Sequence, residues 1–440
     1  MIAMRPLDRL IASLRREKLL LTNASLLAAG TGVTSILGFA FWWVAARSAP
    51  AATVGTAAAT ISLMIFIAQL GELGLGALLM GEGRRLDERA GEILSAAQIA
   101  SFVCAASFAA AYSFIADVAA ITPTVPGGAF IFGAALISLT LVTDNALFGL
   151  RQGRLPVMRN VVSSVVRLAL LSAMIFSPLR ILSSSFVDIW VASLILSLAL
   201  MAFAGRDRLA LMIGRPNFAW LRPRLVQTLG HHSLNMANIA PTLLLPVVVA
   251  GVLTPSVNAA FYVAWTLMNV AFLAPGSFAA IVFAVGAEHP AELAARLKTA
   301  LGLSAIASIG CAAVCGFGAR PMLTFFSPGY ADVAASSLAL LGFSVAPVTV
   351  KCHYMAVQRI AGRMMNASIL LALGCLLELA GAGWGGLRGG LFGLSAGWLA
   401  AVCVEACLMA PALLRALAPT EADRFAPIPH EAIVIAERRP

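Results

Sequence analysis

Repeated long apolar runs, parted by short turns that hold most of the charge, constrain this chain more than any motif in it. A hydrocarbon core of roughly 30 Å takes about 20 helical residues to cross. Cutting at glycine, proline and charged clusters gives spans near 20–46, 55–80, 93–116, 129–150, 158–179 and 186–205, then 231–253, 258–284, 298–319, 333–356, 364–383 and 391–415. Of the 440 residues, 60% are hydrophobic and 11% charged, against about 25% charged in a soluble domain. The expected fold class is all-α: a polytopic membrane protein with about 12 transmembrane helices in two parallel six-helix bundles.

The charges test that count. Of 30 lysines and arginines, 24 fall in the alternate segments that would be cytoplasmic if both termini are inside. Only Arg47, Arg180, Arg320 and Arg388 fall in the opposite loops, and Arg167 and Lys351 lie within spans. That asymmetry predicts an even number of spans with both ends inside. It also accounts for the net charge of +10 as scattered topology signals, so no nucleic-acid partner is expected; membrane lipids are. The seven cysteines fall inside spans with no CxxC spacing, which argues for packing rather than redox or metal chemistry. Residues 1–19 place Leu7, Leu10, Ile11 and Leu14 at helical spacing among basic residues, the pattern of an amphipathic helix on the cytoplasmic surface.

The expected organisation is therefore an amphipathic N-terminus (1–19), a first bundle (20–205), a basic cytoplasmic linker (206–230), a second bundle (231–415) and a flexible cytoplasmic tail (416–440). Six spans per half make the halves parallel copies about an axis along the membrane normal. Weak self-similarity agrees: VAARSAPAATVGTAAAT (44–60) aligns without gaps on VAGVLTPSVNAAFYVAW (249–265), pairing Pro50 with Pro255. Gly153-Arg154 and Gly362-Arg363 recur between the fourth and fifth spans of each half.

The stretch ARSAPAATVGTAAATISLMIFIAQLGELGLGALLMGEGRR, from Ala46 to Arg85, resembles bacterial polysaccharide flippases, the O-antigen and capsule branch of the multidrug/oligosaccharidyl-lipid/polysaccharide exporter superfamily. The resembling features are a turn with Ala46, Arg47, Pro50 and Gly55, and a second span ending in Leu70-Gly71-Glu72-Leu73-Gly74-Leu75 before a basic loop. The FGLRQGR turn and the twelve-span plan extend the likeness over nearly the whole chain. The resemblance implies movement of undecaprenyl-diphosphate-linked oligosaccharide from the cytoplasmic to the periplasmic leaflet of the bacterial inner membrane, for surface polysaccharide biosynthesis. It further implies ion-coupled alternating access of the antiporter kind, and a glycan polymerase with its chain-length machinery as partners.

Charged groups at depth cost about 2.5 to 3.5 kcal/mol on insertion scales, so those within spans need a reason. Asp144, beside Asn145, sits seven residues before Arg151, and Arg167 eight residues past Arg159. Their midpoint falls between Leu155 and Pro156, which predicts that the two meet across a hairpin turning at Gly153 to Pro156. They then form either a structural ion pair or a pair whose arginine can exchange its carboxylate for a diphosphate oxygen. Glu72, about 12 residues from Arg84, is expected near the bilayer middle, as an ion-coupling carboxylate or as a group packed against Gly71, Gly74 and Gly76. Lys351 and His353 occupy the second-half position of Asp144. Lys351 either snorkels to the cytoplasmic face or adds positive charge to an anion-binding cavity, and His353, two residues on, points to a different helix face. Glu378 and Glu405 are expected to serve packing or interhelical hydrogen bonding.

No Walker loop, HExxH or nucleophile elbow occurs, so no enzyme, cofactor or metal is expected. The rival readings are a multidrug exporter of the same superfamily and, in a different class, a membrane-embedded polysaccharide polymerase or ligase. Short outer loops with at most one basic residue disfavour the polymerase, and Arg167 with Lys351 favours an anionic over a cationic cargo.

Overall fold

A computed structural model describes residues 30–82, 89–118, 124–178, 180–206, 213–288 and 292–418. The expected N-terminal surface helix and nearly all of the expected tail lie outside them. Every regular element among the described residues is helical. In chain order they are α1 (30–48), α2 (Ala51–Gly71), α3 (Leu75–Glu82), α4 (Ala90–Val118), α5 (Gly128–Gly149), α6 (Arg154–Ile175), α7 (Ser183–Ala204), α8 (Leu225–Val252), α9 (Pro255–Glu288), α10 (Leu293–Phe326), α11 (Pro328–Leu341), α12 (Val345–Ile360) and α13 (Met364–Leu417). In the expected linker a single helical turn, Phe218–Leu221, and a 3-10 turn, Arg222–Arg224, precede α8.

Ten stretches among the described residues are long and apolar enough to cross a membrane. The longest, α13, has 54 residues with non-helical backbone at Gly389 and Gly390, and folds into two antiparallel arms, 364–388 and 391–417. Gly390 has φ 58° and ψ −146°, a backbone region essentially reserved for glycine. The arms lie backbone to backbone: a Cβ on Gly393 would collide with the carbonyl of Gly385, and one on Gly397 with that of Gly381. With two crossings in α13, and α1 as the first, the expected twelve spans are accounted for.

Two spans are broken, each for a readable reason. Gly342–Ser344 forms a 3-10 turn between α11 and α12, and Pro347 falls in the first turn of α12, where its missing N–H costs nothing. Between α2 and α3 the chain leaves the helix over Glu72 to Gly74, with Leu73 at φ 56° and Gly74 at φ 74°.

The chain divides into two compact units. Unit 1 comprises Met1–Ala49, Ile67–Ile121 and Val125–Leu229; unit 2 comprises Pro50–Phe66, Thr122–Thr124 and Gly230–Pro440. Pro50–Phe66 thus groups with the second half of the sequence. Within unit 2 the two self-similar segments touch, because Gly55 lets a backbone approach: a Cβ there would collide with the Pro255 carbonyl, and Asn258 Nδ2 donates to the Gly55 carbonyl at 2.7 Å.

Unit 1 packs a core of Leu75, Leu79, Ile93, Leu94, Val142 and Leu147 between α3, α4 and α5. At α1 and α7, Phe41 meets Phe186 and Trp190 edge-on, with centroids 6.1 and 6.2 Å apart. Unit 2 packs Leu234, Val282, Leu297, Tyr354, Leu371 and Met409 among α8, α9, α10, α12 and α13.

Candidate functional site

The α5–α6 hairpin turns earlier than the sequence suggests. Helix α5 ends at Gly149, Arg151 adopts φ 60°, and α6 begins at Arg154, so Pro156 lies inside its first turn. A proline there removes an N–H that has no helical partner in any case. The turn centres near residues 151–152, and the residue level with Asp144 is Arg159, two helical turns before Arg167. The expected pairing of Asp144 with Arg167 is corrected accordingly. Arg159 Nε donates to Asp144 Oδ1 at 3.0 Å, and Nη2 to Oδ2 at 2.5 Å. Both side chains are buried. Asn160 completes the arrangement, accepting from Arg159 Nη2 at 2.9 Å and donating to Asp144 Oδ2 at 3.3 Å.

A polar ladder climbs α6 from this pair at helical spacing. Ser164 Oγ donates to the Asn160 carbonyl at 2.9 Å, and Ser163 meets Ser193 of α7 at 3.1 Å between hydroxyls. Arg167 reaches back to the Ser163 carbonyl at 3.3 Å and to its hydroxyl at 3.4 Å. The Arg167 guanidinium carbon lies 3.8 Å from the Trp190 ring centroid, a cation–π contact worth about 0.5–2 kcal/mol. Trp190 is itself braced by Phe41. Arg167 is half-buried, about 12 Å deeper along the helix than Arg159.

Glu72 stands at the break between α2 and α3, where the adjoining Gly71 packs on Ala105, midway along α4. Its Oε1 accepts from the Gly76 N–H at 2.8 Å, so the carboxylate occupies the positive end of the short helix α3. Asn145 comes to the same spot: a Cβ on Gly76 would lie 2.6 Å from Asn145 Nδ2. Asp144 and Asn145, adjacent in sequence, therefore serve the Arg159 pair and the Glu72 break respectively.

Unit 2 gathers what the sequence kept apart. Lys351 of α12, 5% exposed, places Nζ 2.6 Å from Glu378 Oε1 on the first arm of α13 and 3.0 Å from Glu405 Oε2 on the second. It does not snorkel to a surface; two carboxylates hold it inside. Trp398 Nε1 donates to Glu378 Oε2 at 2.6 Å, and Trp398 meets Trp265 edge-on at 4.8 Å. Gly374 leaves the space that the Glu405 carboxyl fills. His353 is fully buried, with Nδ1 2.8 Å from the Thr349 carbonyl, so its ring belongs to the packing of α12.

Sequence reasoning used Arg159 only as a depth marker and passed over Asn160, Ser163 and Trp190. The signal was present in the spacing of polar residues along 159–167. Glu378, Trp398 and Glu405, separated by up to 54 residues from Lys351, had no comparable local signal.

No family model and no curated protein matches the sequence. Solved structures do match in fold. An inward-facing multidrug resistance MATE family transporter of the MOP superfamily aligns with TM-score 0.68 at 14% identity, over 87% of this chain and 95% of that one. A MOP superfamily transporter from Pyrococcus furiosus, described as having a binding pocket of reversed polarity that suggests a different function, aligns with TM-score 0.60 at 16% identity, over 91% and 96%. A eukaryotic MATE transporter aligns with TM-score 0.59 at 17% identity, over 92% and 98%. The chain is thus a multi-pass membrane protein with the helical fold of MOP superfamily transporters.

Proposed function

We propose that the protein is an inner-membrane transporter that flips an undecaprenyl-diphosphate-linked oligosaccharide from the cytoplasmic to the periplasmic leaflet by ion-coupled alternating access, with both termini cytoplasmic. The observation that carries this reading is Arg167: a half-buried guanidinium at the middle of a membrane helix, propped on the Trp190 ring 3.8 Å away. A planar, permanently charged fork suits two oxygens of a diphosphate. The ladder of Asn160, Ser163 and Ser164 supplies neutral polar groups on the cytoplasmic side of it. Asp144 and Arg159 hold α5 to α6, and Asn145 with Glu72 holds α3 against α5. Glu72 is retained as an ion-coupling candidate, with its proton or cation competing against the Gly76 N–H. Lys351 contacts phosphate in this reading only by leaving Glu378 and Glu405, and His353 acts through the packing of α12.

Multidrug export by the same fold is the second reading, favoured by its occurrence among the structural neighbours. A same-fold transporter is described as having a binding pocket of reversed polarity that suggests a different function, so the fold by itself does not select the drug-export reading. The deciding experiment reconstitutes the protein in vesicles with a fluorescent undecaprenyl-diphosphate oligosaccharide and, separately, a cationic dye. Wild type flips the glycan, Arg167→Ala loses at least tenfold in rate while keeping its fold, and Arg167→Lys retains part of the activity. Unchanged flipping by Arg167→Ala would sink the role of Arg167, and movement of the dye alone would make the protein a drug exporter.

A further inference from the structure

We propose that the cluster of Lys351, Glu378 and Glu405 in unit 2 is a proton-binding site, in which one exchangeable proton is shared by the two carboxyls while the tethered ammonium occupies the place of a free metal cation. The proposal rests on the ion-coupled transport reading and deepens it, naming the ion and a site for it.

Charge balance is the first argument. Lys351, Glu378 and Glu405 are 5%, 2% and 1% exposed, so two carboxyl groups share one ammonium away from water. Fully ionised, the cluster holds a surplus negative charge, a state that costs several kcal/mol in a low-dielectric interior. One further positive charge removes the surplus.

Donor counting points to the same group. Both oxygens of Glu378 are served, Oε1 by Lys351 Nζ and Oε2 by the Trp398 indole. Glu405 differs: its Oε2 lies 3.0 Å from Lys351 Nζ, and among the described residues its buried Oε1 has no hydrogen-bond partner. Both carboxyls flank the one Lys351 ammonium, at 2.6 and 3.0 Å. Ionised carboxylates offer only acceptors, so the open oxygen of Glu405 is satisfied when it carries a proton.

Space is the third argument. The Glu405 carboxyl fills the gap left by Gly374, and the ammonium sits 2.6 and 3.0 Å from the two acids, the position a coordinated cation would need. Around the site, α12 adds the Cys352 thiol beside Lys351 and the His353 ring on Thr349, and the first arm of α13 adds the Cys375 thiol. On the elements packed against α13, Asp332 of α11 is bound to Arg320 of α10 at an exposed end, and Arg296 and Lys298 of α10 are exposed. The charges felt at Glu405 are those of Lys351 and Glu378. No step beyond protonation is involved: the proton comes from water on one side and returns to water on the other.

Infrared spectroscopy of the full chain in lipid reads the proton directly, through the carbonyl stretch of a protonated carboxylic acid. The wild-type minus Glu405→Gln difference at neutral pH should show one such band, unaffected by exchanging sodium for potassium. Glu378→Gln should remove the same band, since the remaining acid then pairs with Lys351. Lys351→Met should double it, as both acids become neutral; should that variant not fold, the two glutamine variants decide. Absence of the band in wild type overturns the proposal, as does its survival in both glutamine variants. Stabilisation by sodium but not potassium that disappears in Glu405→Gln would make this a sodium site instead. Because the band requires no cargo, its loss with intact flipping sinks the proton site alone, and its presence without flipping sinks the transport reading alone.

Discussion

Unit 1 and unit 2 each bury a base against acids, with opposite accounting. In unit 1 one arginine meets one aspartate through two hydrogen bonds, and Asn160 serves both partners. That set is balanced, with its donors and acceptors matched. In unit 2 one lysine meets two glutamates, and one of these keeps an oxygen without a donor. A balanced pair fixes geometry, because losing either member strands a charge. An unbalanced trio favours taking up one proton, because that moves it from net negative to net neutral. The difference separates a clamp from an exchange site.

The same chemical change, carboxylate to amide, should therefore have unlike effects in the two units. Asp144→Asn strands the Arg159 guanidinium and is expected to destabilise by about 3–5 kcal/mol, seen as a large fall in the thermal unfolding midpoint in detergent. A near-neutral result would break the comparison. Lys351→Met should cost less, about 1.5–3 kcal/mol for the lost charged hydrogen bonds, because the two stranded acids can neutralise themselves by taking up protons. A loss equal to that of Asp144→Asn would show that they do not. Arg167→Ala should lower stability by no more than about 2 kcal/mol, the range of its contact with Trp190, while abolishing glycan flipping. Stability and activity falling together would reassign it to the clamp. Smallest of all, Glu405→Gln keeps volume and mimics the protonated acid, so it should cost under about 1.5 kcal/mol and remove the share of pH dependence due to this site, the stability that wild type loses as pH rises and the shared proton leaves.

Spans were legible because the apolar pattern that marks them is local. The apolar runs predicted twelve crossings, and the structure accounts for twelve with α1 and the two arms of α13. The hairpin partner of Asp144 was misplaced because Pro156 reads as a turn residue, whereas a proline in the first helical turn displaces no hydrogen bond. That shift of the turn by about four residues moved the predicted partner by eight, from Arg159 to Arg167, since both arms count from the turn. The break at Glu72 is not legible because the sequence shows one apolar run, while Leu73 and Gly74 in the left-handed region divide it into two helices.

By itself, the sequence determined that this chain must be a helical bundle in lipid, since a backbone without water must satisfy its own hydrogen bonds, and it marked which charges lie too deep to be incidental. Which of those charges meet was decided only by tertiary structure. Lys351, Glu378 and Glu405 stand on three helical segments, and no local pattern records how such segments turn toward one another. That orientation follows from packing, where Gly374 admits the Glu405 carboxyl and the glycines of α13 let its arms close back to back.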